Sequence, residues 1–272
     1  MSDGAIVSDG AIVSGRAAEP VGPYPHAKRV GDLLFLSGIG PRARGATAIP
    51  GVTQDATGAV IARDFEVQAR AVFDNVRAVI DAAGAHWDDL IDVTVFLTHM
   101  TEDFAALNVI WAEQFPNAAT RPTRTTVEVS RLPTPIDIEL KVVARVRTTE
   151  ILQYDPARRW AAATRVGRLV YLAGETATDP TTLAIVPGGI EAQAEQVFTN
   201  IATTLAHFGA DLRDVIKVTI FLRDMADLAA VGAIRAKHFP TPVPSSAIEV
   251  GALASPEMLV EIETIALIPG SD

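Results

Sequence analysis

The chain has 272 residues, of which 49% are hydrophobic and 21% charged, and its net charge is −10. This composition is typical of a globular protein with a buried core, and the acidic balance argues against nucleic acid or an anionic membrane surface as a partner. The sequence contains no cysteine, which excludes disulfides, thiolate nucleophiles and cysteine-based zinc sites. It shows neither a membrane-spanning apolar stretch nor a signal-peptide pattern, which favours a cytoplasmic protein.

The first residues repeat a hexapeptide. SDGAIV occurs at 2–7 and again at 8–13. Because this stretch is short, glycine-bearing and precedes the first strong hydrophobic pattern, we expect residues 1–17 to form a disordered tail.

Apolar runs and helical periodicity then alternate in the order strand, strand, helix, strand, helix, strand, strand. The expected elements are a hairpin at 28–38, a helix at 65–83, a strand at 90–98, a helix at 103–115, and strands at 123–129 and 136–146. This order predicts an α+β domain with one mixed sheet and two helices packed on one face. Apolar residues on both faces of the strands leave one face to be covered by further copies, which predicts an oligomer.

A long internal repeat follows the same order. The segment 30–38 matches 166–174, and the triplet Ile138-Glu139-Leu140 matches Val260-Glu261-Ile262. Such a repeat indicates two homologous domains. We place them at 18–147 and 157–272, with a linker at 148–156, and the first copy carries extra residues around 45–63.

Three residues of the first copy are candidates for chemistry. Arg124 precedes a β-rich run and is either a surface residue or a bidentate clamp for a carboxylate. Glu139 belongs either to a solvated polar face or to a site where its carboxylate holds water or moves a proton. Tyr24, in a proline-rich segment, either packs on the core or lies over a ligand. The five histidines show no metal-ligand spacing, so we predict no metal site.

The ordered motifs Gly22-Pro23-Tyr24, Leu36-Ser37-Gly38, 93–97, 124–129 and Ile138-Glu139 resemble those of the RidA/YjgF family of enamine/imine deaminases. The resemblance covers most of 18–147 and, more weakly, 152–268. It implies a chorismate-mutase-like α+β fold, a trimer with active sites between neighbouring subunits, and hydrolysis of a small carboxylate substrate without a cofactor.

Carried over by position, the resemblance implies roles for individual residues. Arg124 falls on the arginine that binds the substrate carboxylate, and Glu139 falls on the glutamate that holds water. Tyr24, Ser37 and Gly38 fall on residues that line the pocket. The remaining positions are Asn108, which corresponds to an asparagine presented by the adjacent subunit, and Thr126, where many relatives have cysteine.

Within the family, the first copy resembles 2-aminomuconate deaminases of aromatic-compound breakdown, on Pro25-His26, Gly51-Val52, 122–127 and Lys141. Hydrolysis would convert 2-aminomuconate into the 2-oxo acid 4-oxalocrotonate and ammonia. His26 then either contacts the distal carboxylate, relays a proton or is a surface histidine. Two alternatives remain open: a general 2-imino acid deaminase that removes reactive intermediates, and a non-catalytic module that binds ligands or protects proteins.

The second copy departs from the pattern at four positions. Ser245 stands at the position of Arg124, and the other replacements are Gly232 for Asn108, Trp160 for Tyr24 and Ala173 for Ser37. Only Glu261 keeps its place. We therefore expect the second copy to be catalytically silent, with binding of a different, uncharged ligand as the alternative.

Overall fold

The computed structural model describes residues 4–7, 9–146, 152–154, 159–239 and 241–269. Its contacts divide the chain into two compact units. Unit 1 comprises 1–121 and 129–148, whereas unit 2 comprises 122–128 and 149–272. None of the described helices is both long enough and apolar enough to cross a membrane.

The N-terminal hexapeptide repeat forms a β-hairpin. Strand β1 (Gly4–Val7) pairs antiparallel with β2 (Ala11–Ser14), and β2 pairs with the strand that follows it. Asp9 and Gly10 turn the chain with φ values of 65° and 76°, the conformation that makes Asp-Gly a strong hairpin signal. Ile12 is buried, so the expectation of a disordered tail is wrong for residues 9–17. Residues 1–3 and 8 lie outside the described part.

Unit 1 places two helices on its sheet, whose strand order within the unit is β1-β2-β3-β4-β9-β7. Helix α1 starts where the Asp64 carboxylate accepts a hydrogen bond from the backbone N–H of Val67 at 3.1 Å, and it packs against β2 and β9. The elements of unit 1 are β3 (Ala27–Val30), β4 (Leu33–Leu36), β5 (Val52–Gln54), β6 (Val60–Arg63), α1 (Phe65–Ala82), β7 (Leu90–Leu97), α2 (Met100–Gln114) and β9 (Ile138–Arg145). Strands β5 and β6 form a separate hairpin in the extra segment of the first copy.

An aromatic cluster joins the two helices of unit 1. Phe73 on α1 meets Trp111 on α2 edge-on at a centroid distance of 6.3 Å, and Trp87 stacks on Phe115 at 5.2 Å. Such aromatic pairs add to the stabilisation that burial of their apolar surface provides. The cluster therefore anchors the helix layer on which the sheet rests.

Unit 2 repeats the arrangement. Its sheet order is β10-β11-β12-β15-β13-β14, in which β13 and β14 run parallel and the other pairs are antiparallel. The bounds are β10 (Leu152–Tyr154), β11 (Ala163–Val166), β12 (Leu169–Thr176), α3 (Gly189–Ala206), β13 (Val215–Leu222), α4 (Leu228–His238), β14 (Ser245–Glu249) and β15 (Val260–Leu267). The predicted α+β fold with two tandem sheet-and-helix domains is confirmed.

Two boundaries differ from those predicted. Strand β10 falls inside the expected linker at 148–156, because its backbone pairs with β11, while 147–151 and 155–158 lie outside the described residues. Strand β8 (Thr123–Glu128) comes from the first repeat, yet it belongs to unit 2 and packs against β12. The position of β8 therefore places Arg124 in unit 2.

Candidate active site

In unit 1 the carboxyl group of a glutamate packs against the backbone of a glycine where two strands meet. Glu139 is the second residue of β9, and Gly38 follows β4. A Cβ atom at position 38 would overlap the carboxyl group of Glu139, so this close approach requires glycine. Burial raises the pKa of Glu139, and the charge of Arg42 opposes that rise.

A small cavity of about 20 Å³ lies beside Gly38, which is room for one water molecule. The Tyr24 side chain forms part of its wall and is 42% exposed. The Ser37 hydroxyl donates a hydrogen bond to the carbonyl oxygen of Pro25 at 2.7 Å. The lining residues are Ala17, Ala18, Pro20, Tyr24, His26, Ser37, Gly38, Ile39, Gly40, Arg42 and Asn75. Four residues predicted for the site thus surround one cavity.

His26 uses both of its ring nitrogens within unit 1. Nδ1 accepts a hydrogen bond from the backbone N–H of Ser14 at 3.1 Å, so Nε2 carries the proton and donates to the carbonyl oxygen of Ala18 at 2.7 Å. The side chain is only 2% exposed. His26 therefore ties β2 to the segment before β3. The prediction that it contacts a distal carboxylate or relays a proton is corrected, because neither nitrogen is left for a ligand.

Two cavity residues, Arg42 and Asn75, were not among those predicted. The Asn75 amide donates hydrogen bonds to the carbonyl oxygens of Gly40 and Arg42 at 2.9 and 2.8 Å. Asn200 of the second repeat donates to two carbonyl oxygens beyond Gly174 at 3.0 and 2.9 Å. The segments 72–76 and 197–201 of the two repeats match, with Asn75 and Asn200 at the same place, and this shared asparagine was the sequence signal for the contact. In each unit it holds the chain after the glycine against the helix.

The remaining predicted residues lie apart from this cavity. Asn108 is half-buried on α2 and does not line it. Thr126 lies on β8, 4% exposed, and its hydroxyl finds no hydrogen-bond partner among the described residues.

Arg124 lies in unit 2, with its guanidinium carbon 4.2 Å from the centroid of the Trp160 ring. A parallel bridge between Thr123 and Ala161 holds the two chain segments side by side. Arg124 is 3% exposed. Burial lowers its pKa to about 9, and the nearby charge of Glu261 opposes that shift. The guanidinium therefore stays protonated at neutral pH and rests on an aromatic face, a favourable arrangement for a buried cation.

Glu261 repeats in unit 2 the arrangement of Glu139. Its carboxyl lies where a Cβ atom on Gly174 would be, and only glycine permits this approach. The side chain is 4% exposed, and Oε2 finds no hydrogen-bond partner among the described residues. Burial and the neighbouring Glu263 and Glu175 raise its pKa to about 8, while Arg124 opposes the rise. A buried polar atom without a partner costs about 1–3 kcal/mol, so Oε2 is a position where a water or a ligand can form a hydrogen bond.

The structure therefore groups the key residues differently from the resemblance. Arg124, Thr126, Trp160 and Glu261 belong to unit 2, whereas the cavity beside Glu139 belongs to unit 1. A protonated guanidinium and a carboxyl group of raised pKa can together bind an anionic ligand and exchange a proton with it. Among the described residues, no three His, Asp or Glu side chains gather into a group that could hold a metal ion.

Comparison with known proteins agrees with this architecture. The model of the family described as Endoribonuclease L-PSP matches residues 14–146 and again 151–268. A RutC family protein of Pyrococcus horikoshii is 37% identical over 133 residues, which are 49% of this chain and 94% of that protein. TdcF of Escherichia coli, which is named as a reactive intermediate deaminase, is 35% identical over 134 residues, 49% of this chain and 94% of its own.

A solved structure, that of the YjgF gene product of Escherichia coli, is similar over 50% of this chain and 98% of its own, with 32% identity and a TM-score of 0.43. The family model covers most of the chain in two consecutive matches, and each match corresponds to one of the repeats. The chain belongs to the RidA/YjgF (Endoribonuclease L-PSP) family and carries two copies of the family domain in tandem.

Proposed function

We propose that the chain is a hydrolytic deaminase that acts on an enamine or imine carboxylic acid, with 2-aminomuconate as the leading substrate. The observation that carries this proposal is the pair formed by the buried Arg124 guanidinium and the Glu261 carboxyl with its unpartnered oxygen. The name of TdcF points to the same class of reaction.

Arg124 supplies the counter-charge for the substrate carboxylate. Its planar guanidinium presents two parallel N–H groups to a carboxylate, and such charge-assisted pairs are strongest where water is excluded. One face of the group rests on Trp160, which restricts the directions from which a carboxylate can approach. An arginine this buried also keeps the substrate in a fixed orientation toward the reacting carbon.

Glu261 handles the proton and the water in this proposal. The resemblance assigns that role to Glu139, and both glutamates lie on a glycine. We favour Glu261 because it belongs to the same unit as Arg124 and responds to its charge. The enamine tautomerises to an imine, and water adds to the C=N carbon. The carboxyl group, which its raised pKa keeps protonated at neutral pH, gives its proton to the imine nitrogen, and the carboxylate that results takes a proton from the attacking water. The same group then passes that proton to the nitrogen of the carbinolamine and accepts the proton of its hydroxyl group, so that ammonia departs and a 2-oxo acid remains.

The same geometry also suits smaller 2-imino acids, so a general deaminase of reactive intermediates is the second candidate. An endoribonuclease is disfavoured, because a net charge of −10 gives no general attraction for a polyanion. We extend the proposal to a cytoplasmic homotrimer, or a multiple of three chains, and light scattering would test the number of chains.

The decisive test is an assay of ammonia release from 2-aminomuconate and from 2-iminobutanoate, both generated enzymatically in the cuvette. Arg124→Ala should lower kcat/KM by about 100-fold, since about 2.7 kcal/mol of charged hydrogen bonding is lost. Arg124→Lys keeps the charge but not the planar fork, and should recover only part of the rate. Ammonia release no faster than in the absence of the protein would refute the deaminase, and equal rates for wild type and both variants would refute the role of Arg124. Thermal unfolding would verify that the variants fold.

A further inference from the structure

We propose that a groove of unit 1 binds a small amphipathic monocarboxylate, that is, a molecule with an apolar body and a single carboxylate group. The groove holds about 470 Å³, a volume typical of small-molecule sites. It shares no lining residue with the cavity beside Gly38. All of its lining residues belong to unit 1, whereas Arg124 and Glu261 belong to unit 2. This groove is therefore separate from the site proposed for the deaminase reaction.

The extra segment of the first copy provides part of the apolar wall. Val52 on β5 and Val60 on β6 line the groove from the hairpin, and Val60 is left 45% exposed. The other apolar lining residues precede β9, namely Leu132, Pro135 and Ile136. An apolar body in the groove would remove these side chains from water, and the gain in free energy grows with the area that is covered.

The polar wall comes from chain segments that backbone hydrogen bonds hold side by side. The N–H of Val129 donates to the carbonyl oxygen of Leu97 at 2.8 Å, and the N–H of Thr98 donates to the carbonyl oxygen of Asp137 at 3.1 Å. These two bonds bring together the polar lining residues Thr98, His99, Ser130 and Arg131. Hydroxyl groups and a guanidinium are thus grouped before a ligand arrives, and such preorganisation lowers the entropic cost of binding.

Two further charged residues of the groove, Arg63 and Asp137, already have partners. Arg63 contacts the carboxylate of Asp103 at 2.8 Å and that of Asp137 at 3.6 Å, and it also pairs with Glu102. Asp137 accepts a hydrogen bond from the side-chain amide of Gln68 at 2.6 Å. These contacts fix the two side chains as a rigid part of the groove, and they leave ligand binding to other groups.

Arg131 is the cation that a ligand can use. Its side chain is exposed, lines the groove and forms neither a hydrogen bond nor an ion pair within the described part of the chain. A planar guanidinium can hold a carboxylate through two parallel N–H groups. Arg131 can therefore bind the anionic group of a molecule whose apolar body lies against the hairpin.

The surrounding charges limit that molecule to one negative charge. Arg63 pairs with three carboxylates, so negative charge exceeds positive charge around it. Arg131 adds one positive charge, which a monocarboxylate neutralises. A dicarboxylate or a phosphate monoester would bring a second negative charge without a partner close to these carboxylates, and like charges repel. The groove thus differs in selectivity from a site for a dicarboxylate.

Calorimetry on the full chain with 2-naphthoate, its neutral amide 2-naphthamide and acetate tests this assignment. 2-Naphthoate should bind most tightly, because it alone combines an apolar body with a carboxylate. Arg131→Ala should weaken 2-naphthoate binding about fivefold, the effect of one exposed charge pair of about 1 kcal/mol, and leave 2-naphthamide unchanged. Arg70→Ala is the matched control, because it removes an exposed arginine of unit 1 that does not line the groove.

A second pair of variants tests the apolar wall. Val60→Ser should weaken both naphthyl compounds about threefold, since apolar contact area is lost. Ile61→Ser, at the next position of β6, should leave both affinities unchanged, because Ile61 is 64% exposed and does not line the groove. Thermal unfolding would verify that these surface variants fold.

The outcomes separate the groove from the proposed deaminase. Arg131→Ala should leave ammonia release unchanged, and Arg124→Ala should still bind 2-naphthoate. The groove assignment would be overturned by no binding of 2-naphthoate, by equal affinity for 2-naphthoate and 2-naphthamide, or by binding that Arg124→Ala abolishes and Arg131→Ala does not change. Each of these results leaves the deaminase standing. Conversely, selective loss of 2-naphthoate binding in Arg131→Ala, in a protein that releases no ammonia, would support the groove and refute the deaminase.

Discussion

The Glu139–Gly38 contact of unit 1 and the Glu261–Gly174 contact of unit 2 share a backbone framework but have different chemical surroundings. In each unit the residue before the glycine donates its backbone N–H to a carbonyl of the preceding strand segment at 2.9 Å, namely Ser37 to His26 and Ala173 to Ala162. Around Glu139 the walls carry hydroxyl groups and a cavity that fits one water. Around Glu261 those hydroxyl-bearing residues are replaced by Ala173 and Trp160, and the cation is Arg124.

The two repeats differ at the position of Arg124. The second repeat lacks an arginine of its own at Ser245, and the sequence therefore suggested a silent copy. In the structure, β8 carries Arg124 of the first repeat into unit 2. Under the proposed function, Arg124 of the first repeat supplies the cation that the second repeat lacks, through a strand that packs against β12.

The strongest test of the difference between the two units is the matched pair of variants Glu261→Gln and Glu139→Gln. If Glu261 exchanges the proton beside Arg124, its amide variant should lower kcat by about 100-fold, the typical contribution of general acid–base catalysis, with little change in carboxylate binding. Glu139→Gln should retain most of the rate. Steady-state ammonia release measures both, and the reverse ranking would return the role to Glu139.

The two glycines provide a second contrast, in stability. Gly174→Ala should lower the free energy of unfolding by about 2–3 kcal/mol, because its Cβ would overlap the buried carboxyl of Glu261. Gly38→Ala should cost less, about 1 kcal/mol, since Glu139 is half-buried and can move toward solvent. Urea titrations of both variants measure the difference. A larger loss for Gly38→Ala would contradict the tighter packing that we assign to unit 2.

A third contrast is a pH dependence of stability that belongs to unit 2. The pKa of Glu261 is about 8 when folded, well above that of an unfolded glutamate, about 4.3. The folded state therefore binds the extra proton. The stabilisation of the folded state by this proton is complete below the pKa that Glu261 has in the unfolded chain. It declines as the pH rises through 8, by at most about 1.4 kcal/mol per pH unit.

Urea unfolding at pH 6, 7 and 8 would measure this decline, which Glu261→Gln should flatten and Glu139→Gln should leave in place. Arg124, Glu175 and Glu263 face the same carboxyl group, and Arg159 adds its charge at Arg124. An unchanged slope in Glu261→Gln would show that another of these groups titrates.

The sequence by itself determined the local structure and the repeat. Alternating apolar runs and the Asp64 cap are local signals, and the helices and strands begin and end close to the positions that these signals indicate. The match of Glu139 to Glu261 and of Asn75 to Asn200 likewise depended only on order along the chain. Residue type and spacing suffice for such features, because backbone propensity and amphipathic period act over a few residues.

Which of the candidate residues lie near one another depends on the tertiary structure. The ring nitrogens of His26 form hydrogen bonds with Ser14 and Ala18, and strand β2 of the N-terminal hairpin pairs with β3. Both features depend on contacts between segments that are distant along the chain. The same holds for Arg124, whose neighbours Trp160 and Glu261 lie 36 and 137 positions further along the chain. A pattern read along one repeat assigns Arg124 to Glu139. In the structure, the packing of β8 against β12 determines which groups surround the Arg124 guanidinium. Electrostatic and packing interactions depend on distance in space and not on separation along the chain.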